Sequence, residues 1–483
     1  MKPYKFSRRR FLSGMLLLPV LASCRKQPGL NPYATPGSKG PTRSVPDPSV
    51  VTDDFLAQYG KTEMGPRLVA ADPSFNKTIN GYTDKVSYKP GDTVDVYLSG
   101  PANNSMVIPL LDSGRKQVAS ITTAIATQTV RSSKPWVDGF QYEKTFSFQI
   151  PGDFKSGLYT WMGQIPFVCK IPNEATDLAI VYPSNTMSAY NFAGGKSIYA
   201  PDDDNRATVL SFLRSRVVDY VEFYKWIDKQ SYTVNHVADS DLDDYNSIAN
   251  AKVLVIIGHS EYWTRKARTN VDKFVNSGRN VLVLSGNNMW WQIRYNQSKN
   301  TMICYKDSKT DPLGNSIYDT TSWSYPVLEY PVIPSLGADF TDGGYGNTLT
   351  SRWGGYKIVK AESPIFKNAN VKNGDILDLD TREYDSVPVM KMIAPGSTDV
   401  PAIDYSRINF EKIEILGYDF AQNTNRADKN GLGTFVVCRK NASAGTIVNV
   451  ASMDWAYYLV YDKYRVMTKN MIDLSLARES LFS

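Results

Sequence analysis

Residues 253–263 read VLVIIGHSEYW, an uninterrupted apolar run that stops at Gly258 and releases His259, Glu261 and Tyr262 together. A run of this composition is a strand covered on both faces. In open α/β sheets ligands bind beyond the carboxyl ends of the strands. An imidazole, a carboxylate and a phenol at one strand end therefore mark a candidate site. The chain holds only 2 histidines, His236 and His259. Histidine at such a position serves either chemistry or a hydrogen bond to a loop, and the residue type leaves both open.

Working outward, the segments from residue 176 alternate in type. LAIVYPS, YTVNHVA, VLVIIGH and NVLVLSGNN read as strands, RATVLSFLRSRVVDYVEFYKWIDKQ and TRKARTNVDKFVNSG as helices, and DLDDYNSIANA as a short helix. Crossovers of this length impose parallel neighbours. The expectation for 176–483 is a three-layer α/β fold with a mostly parallel sheet, flavodoxin-like or glutamine-amidotransferase-like. The loop after NVLVL, with Asn287 and Asn288, should then lie beside GHSEYW, although simple turn chemistry would also place asparagines there. Between residues 63 and 175 short alternating segments are broken by Pro-Gly and Ser-Gly turns, the pattern of an all-β, immunoglobulin-like sandwich.

The first residues have a different character. SRRRFLSGMLLLPVLASC joins consecutive arginines to an apolar stretch and a small-residue site before Cys24, which reads as an export signal over 1–23. It resembles a twin-arginine signal ending in a lipobox, with Cys24 as the lipidated residue. The apolar stretch is shorter than the roughly 20 residues that span a bilayer. The expected product is an extracytoplasmic lipoprotein, in the periplasm or at the cell surface, held to the membrane by its N-terminal lipid alone through a Pro/Gly-rich tether at 24–62. Cys169, Cys304 and Cys438 remain, too few and too scattered for a disulfide framework. A net charge of +6 on 483 residues, with both signs interspersed, gives no basic stripe for nucleic acid. A homo-oligomer is compatible with this surface.

Several chemistries fail on residue arithmetic. Gly258-His259-Ser260-Glu261-Tyr262 has tyrosine where a nucleophile elbow needs glycine, and no histidine follows Ser260. There is no HExxH and no CxxC. Asp239, Asp241, Asp243 and Asp244 open like a calcium loop but lack its glycine and its closing glutamate, so they read as a helix cap in a solvated loop.

The separated pieces SGLYTW, AYNFAGGKSIY, VEFYKWIDKQ, GHSEYW, GRNVLVLSGNNMWWQIR and REYDSVP together resemble the C-terminal domain of the large subunit of the N,N-dimethylformamidase family. The resemblance implies a mononuclear ferric site with two tyrosines and one glutamate as ligands, at which an amide is hydrolysed by iron-activated water. Glu261 matches the glutamate and Tyr190 one tyrosine. Tyr159 matches the other, with Tyr182 and Tyr199 as competitors. His259, Asn287 and Glu383 match catalytic or supporting positions. Phenolate and carboxylate are hard oxygens that suit such an ion. The export signal points away from dimethylformamide and towards another small amide or an N-acylated compound. The alternative is a non-catalytic surface lipoprotein that binds a glycan or a protein partner, for which Trp290, Trp291, Trp323 and Trp353 would form an exposed platform.

Overall fold

The computed structural model describes residues 79–483, apart from 200, 202–204, 217, 347–353 and 395–396, together with a two-residue strand at Val50–Val51. The export signal, Cys24 and Trp353 lie outside the described residues. Val50–Val51, within the stretch read as a tether, pairs in parallel with Tyr295–Asn296.

The apolar runs do form the middle of a large sheet. Val234–Ala238, Thr176–Tyr182, Ala251–His259, Asn280–Gly286 and Thr446–Asn449 are successive parallel neighbours. Both faces of these strands are covered, as runs without polar alternation require. Val253, Val255, Ile257, Leu282 and Leu284 join one apolar cluster with Tyr464, Met467 and Met471 of the helix Asp462–Ala477. Leu254, Ile256, Val281 and Val283 join the opposite cluster with Val271 and Phe274 of the helix Arg265–Asn276. That second helix starts where Thr264 accepts a hydrogen bond from the Ala267 amide, an ordinary N-cap.

The fold class expected from sequence is not the one found. The sheet has 11 strands, and beyond Thr446–Asn449 it continues through Asn430–Arg439, Lys412–Gln422, Asp339–Tyr345 and Glu383–Ser386, all antiparallel. Among the described residues strand outweighs helix, 34% against 19%, in mixed and antiparallel sheets, so this is not a three-layer parallel fold. Two physical reasons account for the difference. Lys412–Gln422 and Asn430–Arg439 are joined by a short loop, which leaves only an antiparallel pairing. The helix expected over 206–230 shrinks to Val221–Ile227, because Val209–Ser211 pairs as a strand with Thr301–Ile303 and Tyr220 enters the helix with a left-handed φ of 58°.

N-terminal to this sheet, Asn80–Thr83, Thr93–Ser99 and Phe146–Gln149 form one small sheet and Ser87–Tyr88, Ile165–Cys169, Gly157–Trp161, Asn103–Leu111 and Gln117–Ile125 another. Val94, Val96 and Leu98 from the first share a core with Ile108, Leu110, Trp161 and Phe167 from the second. The aspartate run 239–243 is a 3₁₀ turn rather than a solvated loop, with Asp239 and Asp241 buried. Asp241 accepts from Ser87 Oγ at 2.7 Å and pairs with Lys170, tying the sandwich to the large sheet. Among the described residues no helix is long and apolar enough to cross a membrane.

Candidate active site

The strand Ala251–His259 delivers His259 to the crevice through a glycine that nothing else could replace. Gly258 has φ +70°, and a Cβ there would lie 2.3 Å from Cζ of Tyr220. The same tyrosine accepts a hydrogen bond from the His259 amide at 2.9 Å. On the neighbouring strand, Gly286 lets the Glu383 backbone come close, since a Cβ there would meet the Glu383 carbonyl at 2.8 Å. Glu383 belongs to the antiparallel half of the sheet, so that half also supplies the site.

Three oxygen-bearing side chains converge beside His259. Tyr199 Oη donates to Glu261 at 2.7 Å to Oε1 and 2.9 Å to Oε2, and Tyr190 Oη donates to Glu261 Oε2 at 3.0 Å. The two phenol rings stack with centroids 4.3 Å apart. Trp291 Nε1 donates to Glu261 Oε1 at 2.8 Å, and the Glu261 amide donates to Thr186 Oγ1 at 2.8 Å. Tyr262 Oη donates to Tyr199 Oη at 2.7 Å. The His259 Nε2 atom lies 3.1 Å from Tyr190 Oη, 3.3 Å from Glu261 Oε2 and 3.6 Å from Glu383 Oε2, while Nδ1 faces the Gly286 carbonyl at 3.3 Å. Asn287, at φ 47°, donates Nδ2 to Glu383 Oε2 at 2.9 Å and leaves Oδ1 buried without a hydrogen bond. Its backbone is thus a turn and its side chain is part of the site.

Burial sets the electrostatics. It pushes the Tyr190 and Tyr199 phenols well above their ordinary range, and the Glu261 charge pushes them further. Burial also opposes ionisation of Glu261, but the hydrogen bond and charge of His259, helped by Lys306 and Tyr199, hold it below the usual carboxylate range. For His259, burial works against the charged ring, yet Glu383 and Glu261 together outweigh it and raise the imidazole to about 9. Burial raises Glu383, with Glu261 adding to it and His259 opposing.

The sequence-derived residues His259, Glu261, Asn287, Glu383 and Tyr190 are brought together. Tyr159 is not among them. Its hydroxyl donates to the Lys155 carbonyl at 2.9 Å inside the sandwich core, where the alternation of Gly157–Trp161 turns it. Tyr182 is buried against Tyr224 instead. Tyr199 takes the second phenol position, because Gly194 and Gly195, both at positive φ, turn the chain back after Tyr190. Sequence reasoning missed Lys306, whose ammonium lies 3.2 Å from the Tyr199 ring centroid and 4.8 Å from that of Trp291. It has no periodic signal, being a left-handed residue (φ 59°) in an irregular loop.

Residues 111–467 match the model of the family described as N,N-dimethylformamidase beta subunit-like, C-terminal. The chain belongs to this family. Among curated proteins none matches it. Among solved structures, a β-galactosidase from Bacillus circulans sp. alkalophilus is similar at 10% identity over 64% of this chain and 32% of its own, with a TM-score of 0.29. That likeness is too slight to bear on fold or function.

Membership of the dimethylformamidase-like family suggests a hydrolase-like role. Among the described residues no group of three or more His, Cys, Asp or Glu forms a ligand set. The donors that meet are the Glu261 carboxylate, which is buried, and two partly buried phenols within hydrogen-bond reach of it, all hard oxygens. That donor set fits a hard, highly charged cation better than a soft one.

Proposed function

We propose that this chain is a metal-dependent amidohydrolase that cleaves the C–N bond of a linear amide, with a small amide or N-acylated compound as substrate. The observation that carries the reading is the convergence of Tyr190, Tyr199 and Glu261 oxygens beside the His259–Glu383 pair. These three would hold a mononuclear ferric ion. When bound, such an ion supplies Lewis-acid polarisation of the carbonyl and activation of water. Trp291 fixes the Glu261 carboxylate, the Thr186 hydroxyl holds the Glu261 backbone amide, and Tyr262 fixes the Tyr199 phenol, so the donor oxygens are set before any ion arrives. His259 Nε2 lies between Glu261 and Glu383 and can hand a proton to the leaving amine. Asn287 holds Glu383 through Nδ2 and offers its unpaired Oδ1 to a substrate N–H. The arginine run and the lipobox-like LASC that ends at Cys24 support export and lipid anchoring of the chain.

The rival binding reading needs an exposed tryptophan platform. Trp323 is fully buried, and Trp290 and Trp291 are partly buried, with the Trp291 indole committed to Glu261. Elemental analysis and the visible spectrum of the signal-free protein, run beside Tyr190→Phe and Tyr199→Phe, decide between the two. Near-stoichiometric iron and a broad visible band that either substitution weakens support the enzyme. Colourless, metal-free protein after iron reconstitution overturns it in favour of the binding lipoprotein.

A further inference from the structure

Arg214 is 1% exposed, and all five of its N–H groups are used without a carboxylate among their acceptors. Nε donates to the Ser211 carbonyl at 2.8 Å. Nη1 donates to the carbonyls of Asn191 at 2.7 Å and Ala193 at 2.6 Å. Nη2 donates to the Ser188 carbonyl at 2.9 Å and reaches Ser188 Oγ at 3.4 Å. A buried arginine normally sits opposite an acid, because its desolvation is otherwise uncompensated. Here, the Ser211 carbonyl apart, the acceptors are oxygens of Ser188, Asn191 and Ala193, on both sides of one residue. Ser188 precedes Tyr190 in the helix Ser184–Tyr190, and Asn191 and Ala193 follow it on the turn towards Tyr199.

The helix that carries Tyr190 is only 7 residues long and ends without a basic residue of its own in the last turn. Its terminal carbonyls need partners, and the rigid planar fork of a guanidinium can meet several at once where an ammonium cannot. The same turn is braced from the other direction. Asn191 Nδ2 donates to the Ser215 carbonyl at 2.5 Å, and the Ile198 amide donates to the Ala189 carbonyl at 3.0 Å, just before Tyr199.

We propose that Arg214 is a positioning residue for the two-phenol, one-carboxylate cluster: its guanidinium clamps the segment 188–193 and thereby sets Tyr190 and Tyr199 against Glu261. The proposal rests on the reading of that cluster as an ion site, and it acts through geometry. Charge alone is insufficient, so lysine does not replace arginine.

The test compares Arg214→Lys with Arg268→Lys in the signal-free protein. Arg268 is equally buried, donates to the Tyr330 and Pro331 carbonyls and lies outside the site, so its variant reports the cost of losing any buried guanidinium. The readouts are iron affinity, the visible band, and amide hydrogen exchange across 188–199. Arg214→Lys should weaken iron binding by about tenfold or more, the range seen when a ligand's supporting partner is removed, and alter the band, while Arg268→Lys changes neither. Asn191→Ala, a milder cut in the same brace, should shift the band in the same direction and keeps the test open if the lysine variant does not fold. An Arg214→Lys or Asn191→Ala protein with native iron affinity and band overturns the proposal. If the native protein takes up no iron at all, the ion reading fails separately. Exchange then decides: faster exchange confined to 188–199 in Arg214→Lys upholds the clamp, and unchanged exchange removes it.

Discussion

His259, at the end of Ala251–His259, and His236, within Val234–Ala238, lie on strands of one sheet and are 6% and 1% exposed. Each has a carboxylate nearby, Glu261 at 3.3 Å and Asp228 at 3.5 Å. Around His259 both ring nitrogens face polar partners, and two phenols, two carboxylates and an amide converge. Around His236 neither ring nitrogen makes a hydrogen bond; the imidazole packs against Tyr224 in the seam with the sandwich, where Ser156 Oγ takes the backbone amide. Burial and a nearby acid do not make a histidine catalytic. What sets His259 apart is the convergence of donors at a strand end.

The contrast is open to direct attack. Glu261→Gln should reduce iron from near-stoichiometric to background and abolish turnover, as metal analysis beside an amide assay would show; retained iron would put the cluster back among ordinary hydrogen-bonded cores. His259→Gln should keep the iron and lower kcat by about 10²–10⁴-fold, the usual range for general acid–base catalysis. Equal metal loss in both variants would erase the division between ligand and proton carrier.

The turn that follows Val234–Ala238 should respond to pH in its own way. Burial raises the Asp239 carboxyl to about 8 in the fold, against an ordinary aspartate when unfolded. Between roughly pH 4 and 8 the folded state keeps a proton that the unfolded state has released, so stability falls with rising pH there, by about 1.4 kcal/mol per unit for this one group. Asp239→Asn should remove that part of the slope, read as the urea midpoint against pH. Parallel slopes for the two proteins would contradict it. His236→Phe, which deletes two buried nitrogens that make no hydrogen bond at the loss of the 3.5 Å Nε2–Asp228 contact, should raise stability by about 1 kcal/mol and leave turnover within a factor of about two. A large loss of activity would mean that the seam and the site are coupled after all. Smallest of all, Tyr159→Phe should cost about 1 kcal/mol for one hydrogen bond and leave iron untouched.

The parts legible in the sequence were those with a local cause. VLVIIGH and NVLVLSG are buried from both sides, so their composition alone marks them as strands, and Gly258 and Gly286 mark where they stop. The antiparallel half had no such mark. Lys412–Gln422 and Asn430–Arg439 mix polar and apolar residues, and the rhythm of strand and helix before residue 290 does not carry past it. The residues 206–230 have helical spacing, yet Arg214 and Tyr220 are drawn inwards to serve the site's framework, and tertiary demand overrides propensity. Tyr159 and Tyr199 are alike in type and lie in similar surroundings of Gly, Ser and aromatic residues. Only the turn at Gly194–Gly195, which no spacing rule encodes, decides between them.

Cys169, Cys304 and Cys438 are buried and unpaired, and burial holds the first two thiols up at about 12 and 11. A thiol that neither ionises nor meets solvent exchanges with nothing. The described fold therefore reaches the same end state in a reducing or an oxidising milieu, and it can be produced for the experiments above without any oxidative refolding step.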